Sequence, residues 1–500
     1  MRQKTVALCI MIMLLMTTPM AAGKGTDTTI QSHVDRGWSE IAKLSASDGR
    51  PDDVFATSVT IDGTTAVIGA PQDNNYRGSA YFFSHDGDGW TEEAKVAVTD
   101  NISADGFGTS VSISGDTALI GAPGYNGAVG AAYIFVRSES TWVKQAKLTV
   151  PDGVMLDFFG TSVALSGDVA VVGAPDKNSD TGAAYVFTRT GTTWTLATTL
   201  TAPEGAPNDE FGWGIGVDKD TIIVGSCQEN AKHGAAYIYI RSGSTFVQQA
   251  KLTAVDGAAN DCFGISVAVS GDMVVASAPW NNGVIGAVYV FTRAGTTWTQ
   301  TAKIVPTYPT PVTGFGMACS IDNHYLLISA PWYYHFVGEV YVYKFNEDGW
   351  TLDGILQSSD GAWDDFFGNS LCLSGGTAIV GSSNHDEYTG EAYIYSKPLP
   401  EFLLNISKPG VTLTLTNIGG ADATNLTVKI TLSGGWIFAG KQKTENISLL
   451  AKTDTKQVSL GFVFGFGKPT VTGSVSCDEG VAAEATTTVK VFLFFVFGLP

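Results

Sequence analysis

A phenylalanine, followed in most copies by glycine, stands at Phe55, Phe107, Phe159, Phe211, Phe263, Phe315 and Phe367, and every step of that series is 52 residues. A tyrosine keeps the same step at Tyr81, Tyr133, Tyr185, Tyr237, Tyr289, Tyr341 and Tyr393, so no insertion or deletion separates the first copy from the last. A chain with this period builds its core by setting copies of one small unit side by side. The fullest copy, from Phe159 to Trp194, has short apolar runs, many glycines and no helical periodicity, which predicts short strands joined by tight turns.

Four strands are predicted in each copy. In the one that begins at Phe159, the first strand is FGTSVALS, and the chain turns back through Ser166 and Gly167. The equivalent pairs elsewhere, such as Asp62-Gly63 and Ser114-Gly115, suit a hairpin whose central residues take positive φ. VAVVGAP is an unbroken apolar run, as expected of a strand covered on both faces, and Pro175 ends it. A loop then leads to Gly182 and the third strand, AAYVFTR, and the fourth opens at Trp194.

The aromatic of that fourth strand decides the architecture. It recurs at Trp90, Trp142, Trp194, Phe246, Trp298 and Trp350, nothing follows Tyr393, and one orphan copy precedes the series at Trp38. Seven sets of four strands are complete only if the strand from Trp38 to Leu44 joins the last set. The prediction is an all-β chain with a seven-bladed β-propeller over 38–397, closed by its N-terminal strand, which removes the free edges of an open array. An open solenoid is the alternative.

Outside the repeats the text changes. Residues 1–22 carry Arg2 and Lys4, an apolar run from Val6 to Met16 and then small residues, the layout of a secretory signal; an uncleaved anchor is the alternative. Residues 23–37 are a short N-terminal segment. After a KPLP linker, 398–500 contains alternating segments such as VTLTLTN and TNLTVKITL between turn signals, which predicts an Ig-like β-sandwich, with Trp436 a candidate core aromatic and Val491–Leu499 a final strand. The five cysteines left after the signal show neither CxxC nor metal-ligand spacing and are expected to be buried and unbridged. A net charge of −19 excludes nucleic acid as a natural partner and disfavours anionic membranes. No membrane insertion is expected after signal cleavage. N-x-Ser/Thr acceptors stand at Asn101, Asn405, Asn425 and Asn446 and are expected at the surface if the chain is exported.

The strings Phe107-Gly108 with Gly121-Ala122-Pro123, and Phe159-Gly160 with Gly173-Ala174-Pro175, resemble the FG-GAP repeat family, best known from the N-terminal propeller of integrin α subunits. The resemblance runs through all seven copies, with departures such as Phe55-Ala56 and Gly225-Ser226-Cys227. In the integrin-like version it implies a calcium loop of the DxDxDGxxxD kind between the FG and GAP strands. Here that segment is as short as SISGDT, which leaves no room for six to eight oxygen ligands. No cofactor is therefore expected, and calcium is possible only away from the family's usual place. The segment VTLTLTNIGGADATNLTVKI resembles CARDB modules of exported proteins.

Two patterns are candidates for a site. Asp53, Asp105, Asp157, Asp209, Asp261 and Asp365 each stand two residues before the phenylalanine, and Thr313 breaks the series. They are either a circle of cation ligands or caps of loop amides repeated because the fold repeats. The second pattern is a set of aromatics outside the structural register, Trp280 with Asn281 and Asn282, Trp332 with Tyr333, Tyr334 and His335, then Trp363, with Tyr308 in the same deviant copy. Flat rings beside amides suit a sugar or a partner's loop; covering the rim between blades is the plainer role. The chain lacks HExxH, GxSxG and the full phosphate-binding sequence GxxxxGK followed by Ser or Thr, so no catalytic residue is nominated. The expected function is non-enzymatic: a secreted or cell-surface recognition or adhesion protein that binds a glycan or protein. An extracellular polysaccharide hydrolase or lyase and a structural envelope component are the alternatives.

Overall fold

The computed structural model describes residues 37–498 apart from 99–103, 140, 308–312, 323–324, 347, 398–401, 408–410, 418–422, 435, 440–441, 461–462, 478–481 and 494. The predicted signal, Asn101, Tyr308 and the side chain of Trp436 lie outside the described residues. Among those described, no helix is long and apolar enough to cross a membrane.

The chain is all-β. Among the described residues it forms seven four-stranded antiparallel sheets, a repeated architecture of the propeller kind. The copy quoted above supplies Val163–Ser166, Val169–Ala174, Ala183–Thr190 and Thr193–Leu200, in that order across the sheet. The hairpin predicted at Ser166-Gly167 is displaced by one residue: Ser166 pairs with Val169, so Gly167 and Asp168 make the turn. That leaves the Ser166 side chain free to cap the backbone of the next copy. Its hydroxyl accepts the Lys219 N–H at 3.0 Å, as Ser114 accepts Gly167 at 3.0 Å and Asp62 accepts Gly115 at 2.7 Å. The Gly63 N–H donates back to Ser374 at 3.3 Å, so the last copy reaches the first.

The N-terminal strand takes the predicted place. Ser39–Leu44 pairs antiparallel with Glu391–Ser396, from Ser39 opposite Ser396 to Leu44 opposite Ala392. Trp38, 6% exposed, packs edge-on against Tyr325 of the preceding copy and donates its indole N–H to Asp353 at 3.0 Å.

Each core lies between two sheets. The phenylalanine of the repeat is fully buried and meets the tyrosine of its own copy edge-on, for example Phe159 and Tyr185 at 5.5 Å. It also packs against the outer face of the preceding sheet: Phe159 and Tyr185 share a cluster with Leu119, Ala132 and Ile134. Phe55 and Tyr81 share one with Ile379, Ala392 and Ile394, so first and last sheets bury each other. Parallel bridges such as Gly182 to Phe211 stitch neighbouring sheets at one rim.

At that rim the loop between the second and third strands carries three consecutive residues in the left-handed region, such as Asn178, Ser179 and Asp180 at φ 53°, 62° and 65°. This conformation costs roughly 1–2 kcal/mol per non-glycine residue, and asparagine tolerates it best. Five copies place asparagine first in the triplet, at Asn74, Asn126, Asn178, Asn230 and Asn282. Each turn is closed by bonds such as the Gly182 N–H to the Lys177 carbonyl at 2.9 Å.

Beyond Lys397, Phe402–Ser407, Thr412–Asn417 and Thr455–Ser459 form one sheet. Ala423–Ser433, Gln442–Leu450, Thr470–Ser476 and Ala482–Leu493 lie in another. Alternate residues from both, including Leu413, Leu415, Val428, Ile430, Val458 and Val471, make one apolar core. Asn405, Asn425 and Asn446 are exposed. None of the five described cysteines is in a disulfide; Cys227, Cys262 and Cys319 are buried as expected, whereas Cys372 and Cys477 are half-buried.

Candidate functional site

The rim formed by the loops after the second and fourth strands holds a polar cluster that recurs from copy to copy. The aspartate two residues before the phenylalanine is buried, and its carboxylate accepts the backbone N–H three residues earlier: Arg50 to Asp53, Val154 to Asp157, Ala206 to Asp209, Ala258 to Asp261 and Ala362 to Asp365, all at 2.7–2.9 Å. Asp105 is buried in the same way. Five of the six predicted carboxylates thus cap their own loops, and the sixth, Asp105, is buried at the equivalent position. Burial pushes the Asp53 and Asp209 carboxyls above their ordinary value.

A second acid, seven residues before the phenylalanine, ties this rim to the sheet. Tyr289 donates to Asp256 Oδ1 at 3.0 Å, and Lys303, opposite Tyr289 on the fourth strand, meets Oδ2 at 2.6 Å. That lysine bond holds the Asp256 carboxyl below the usual range. The first residue of the left-handed loop completes the cluster and differs in every neighbouring copy: Asn281 bonds Asp261 at 2.8 Å, Lys177 bonds Asp157 at 3.0 Å, and His385 bonds Asp365 at 2.9 Å. Where the fourth-strand lysine is replaced by Thr199, the ammonium of Lys177 enters from the loop instead and pairs with Asp152 at 3.2 Å.

The sixth copy abandons this scheme. Ile355 stands where five copies have lysine, Thr313 replaces the capping aspartate, and Glu339 enters beneath the loop. Glu339 is 1% exposed, and burial pushes its carboxyl up to about 7 against hydrogen bonds from Tyr341 and Gln357. The folded value lies above the unfolded one, so ionisation opposes folding. Its contribution is best below the unfolded pKa and is lost as pH rises toward 7. Glu339→Gln is therefore expected to raise stability by about 3 kcal/mol at pH 8 and only about 1 kcal/mol at pH 5. Denaturant melts of both proteins at the two pH values check this; an equal gain at both would remove the carboxyl as the cause.

Around this copy the rim turns aromatic. Trp280 and Trp332 meet at 6.1 Å between ring centres, both half-buried, and the Trp332 ring packs directly on Gly314, where a Cβ would lie 2.7 Å from it. Tyr333 reaches Tyr334 at 6.5 Å, Tyr334 reaches His335 at 5.4 Å, and His335 lies 4.8 Å from Trp363. Tyr334 and Trp363 are 57% and 54% exposed. The sequence-predicted aromatics therefore fall into two touching groups, Trp280 with Trp332 and Tyr333 through Trp363.

Beside the first group lies an open cleft of about 520 Å³ lined by Asp256, Asp261, Asn281, Asn282, Lys303 and Pro306, among others. Asn282 is exposed, whereas Asn281 is buried, with its amide oxygen accepting from Lys303 at 3.1 Å. The acidic series seven residues before the phenylalanine marks Asp256 in the sequence, but spacing did not single out Lys303, nor the stacked pair Phe336 and Phe366 at 5.0 Å.

These features define a repetitive all-β protein whose scaffold is uniform and whose rim varies between copies. A family model for the FG-GAP repeat matches residues 38–83, 90–135, 142–187, 194–239, 246–291 and 350–395. Together these cover more than half of the chain, which belongs to the FG-GAP repeat family. The interval skipped at the same spacing, 298–343, contains Trp332 through Phe336. No curated protein matches the chain. Among solved structures it is similar to the crystal structure of Saccharomyces cerevisiae Sqt1, with a TM-score of 0.42 and 11% identity over 92% of this chain and 99% of that one.

Proposed function

We propose that this chain is a secreted or cell-surface recognition protein, in which a seven-bladed, integrin-like propeller binds a glycan on the aromatic rim of its fifth to seventh blades. The carrying observation is the exposure of Tyr334 and Trp363 in one run of touching rings. Exposed aromatic faces stack on the apolar faces of sugar rings, and Asn282 with the Asp256–Lys303 pair offers donors and acceptors for hydroxyls beside them. The C-terminal two-sheet unit serves as an Ig-like, CARDB-like spacer, and the exposed Asn405, Asn425 and Asn446 fit glycosylation of an exported chain. The role needs no catalytic group or cofactor.

A glycan array probed with the full chain and with Trp363→Ala and Tyr334→Ala tests this. Both side chains are exposed, so folding should survive. The expected result is binding to a restricted set of glycans, reduced by about tenfold or more in each variant. Binding unaffected by both substitutions, or capture of a protein with no glycan bound, would remove the sugar assignment.

A further inference from the structure

The seventh copy departs from the repeat at two positions at once. The first residue of the left-handed loop is Asp73, Tyr125, Lys177, Glu229, Asn281 and Tyr333 in the other copies but His385 here. The residue two before the tyrosine is Ser79, Ala131, Ala183, Ala235 and Ala287 in the first five copies, and glutamate in the last two, Glu339 and Glu391. Among the described residues, it is in this copy alone that an imidazole and a strand carboxylate meet the acid that follows the fourth strand, Asp360. Repetition of the fold does not account for the combination.

The imidazole is held in a defined orientation. Asp365, 3% exposed and already capping the Ala362 N–H, lies 2.9 Å from His385 Nδ1. A carboxylate only accepts, so Nδ1 carries a proton and Nε2 faces the opposite way. There it meets Glu391 Oε2 at 3.6 Å and Asp360 Oδ2 at 4.0 Å. Donor atoms of all three side chains fall within 4.8 Å of one another. Tyr393 donates to Asp360 Oδ1 at 2.9 Å, which fixes that carboxylate, and Ser45 does the same for Glu391 Oε1 at 3.1 Å.

We propose that Asp360, His385 and Glu391 form a site for a divalent transition-metal ion of the zinc class, with Asp365 as the residue that orients the imidazole. One nitrogen and two oxygens at about 2.0–2.2 Å from a metal stand roughly 3.4 Å apart in tetrahedral geometry, so the imidazole nitrogen and the two carboxylate oxygens need to close by about 0.2 and 0.6 Å, and the carboxylate oxygens, within 4.8 Å of each other, by at most about 1.4 Å, a change of side-chain rotamer. A carboxylate behind the ligating histidine is the arrangement that fixes its tautomer and raises its basicity. Calcium is the poorer fit, because it takes six to eight oxygens and the imidazole supplies none. Lys43 now pairs with Asp360 Oδ2 and would swing into solvent when the ion enters; its side chain is already 32% exposed.

The test is titration of the chelator-treated full chain with Zn²⁺ by calorimetry and with Co²⁺ by visible absorption. One equivalent should bind, and Co²⁺ should develop the d–d bands of a site with nitrogen and oxygen ligands. Glu391→Ala restores the residue most other copies carry, so it should fold; it is expected to weaken binding about tenfold or more, and Asp365→Asn by 10–100-fold. His385→Ala should abolish the cobalt spectrum, while Lys43→Met should tighten binding by removing the competing ammonium. No binding by the parent chain would overturn the site. So would binding that Glu391→Ala and His385→Ala both leave unchanged, since the metal would then sit elsewhere.

Discussion

Deleting the chain through Leu44 is expected to lower the unfolding temperature by 10 °C or more and to make the protein self-associate. The deletion removes Trp38 and Leu44, both buried, and the strand that pairs along Glu391–Ser396. Losing a buried tryptophan or leucine costs about 2–5 kcal/mol each. The larger consequence is geometric: the backbone donors and acceptors of Glu391–Ser396 become an open edge able to recruit a second chain. Thermal melts and size-exclusion chromatography of the truncated protein check both effects. Trp38→Ala, which keeps the strand but loses the Tyr325 contact and the Asp353 bond, should lose about 3–5 kcal/mol while staying monomeric. A truncated chain that melts like the parent would mean that the N-terminal strand does not complete the last sheet.

Gly182→Ala is expected to cost more than about 3 kcal/mol, whereas Gly191→Ala, nine residues on, should cost only about 1–2 kcal/mol. Both glycines have positive φ, +86° and +64°. They differ in what a methyl group would meet. At Gly182 it would lie 2.1 Å from the Phe211 carbonyl oxygen, on the bridge that joins two sheets, whereas at Gly191 nothing lies within 4 Å. The first substitution has to part neighbouring sheets; the second only bears the left-handed conformation. Chemical denaturation of the two variants separates the terms, and equal losses would show that conformation alone governs both.

The fixed step from Phe55 to Phe367 and the orphan Trp38 were enough to place the strands and pair the first with the last, because a spacing without insertions leaves each strand one possible partner. Local turn chemistry was less legible. The hairpin at Gly167 came out one residue early because Ser166 looked like a turn residue, when its hydroxyl serves the next copy. The left-handed loops escaped notice, although asparagine recurring at Asn74, Asn126 and Asn178 carries that signal. The aromatic residues of the candidate site could be picked out because they break the register. Their grouping could not, since whether His335 meets Trp363 depends on two loops from different segments. The polar cluster was hardest to foresee: the Lys177 that replaces the missing strand lysine beside Asp152 comes from a different segment altogether.

The strand pairing of Ser39 with Ser396 also sets an order of events at the ribosome. The first strand is made long before its partner, and at about 5–20 residues per second the wait is roughly 20–70 s. Throughout that interval Trp38 and Leu44 have no sheet to join, while six sheets can assemble from consecutive hairpins. Closure of the last sheet is therefore the late step: a nascent protein halted before Glu391 can hold most of its sheets yet leaves the strand from Ser39 to Leu44 without its partner.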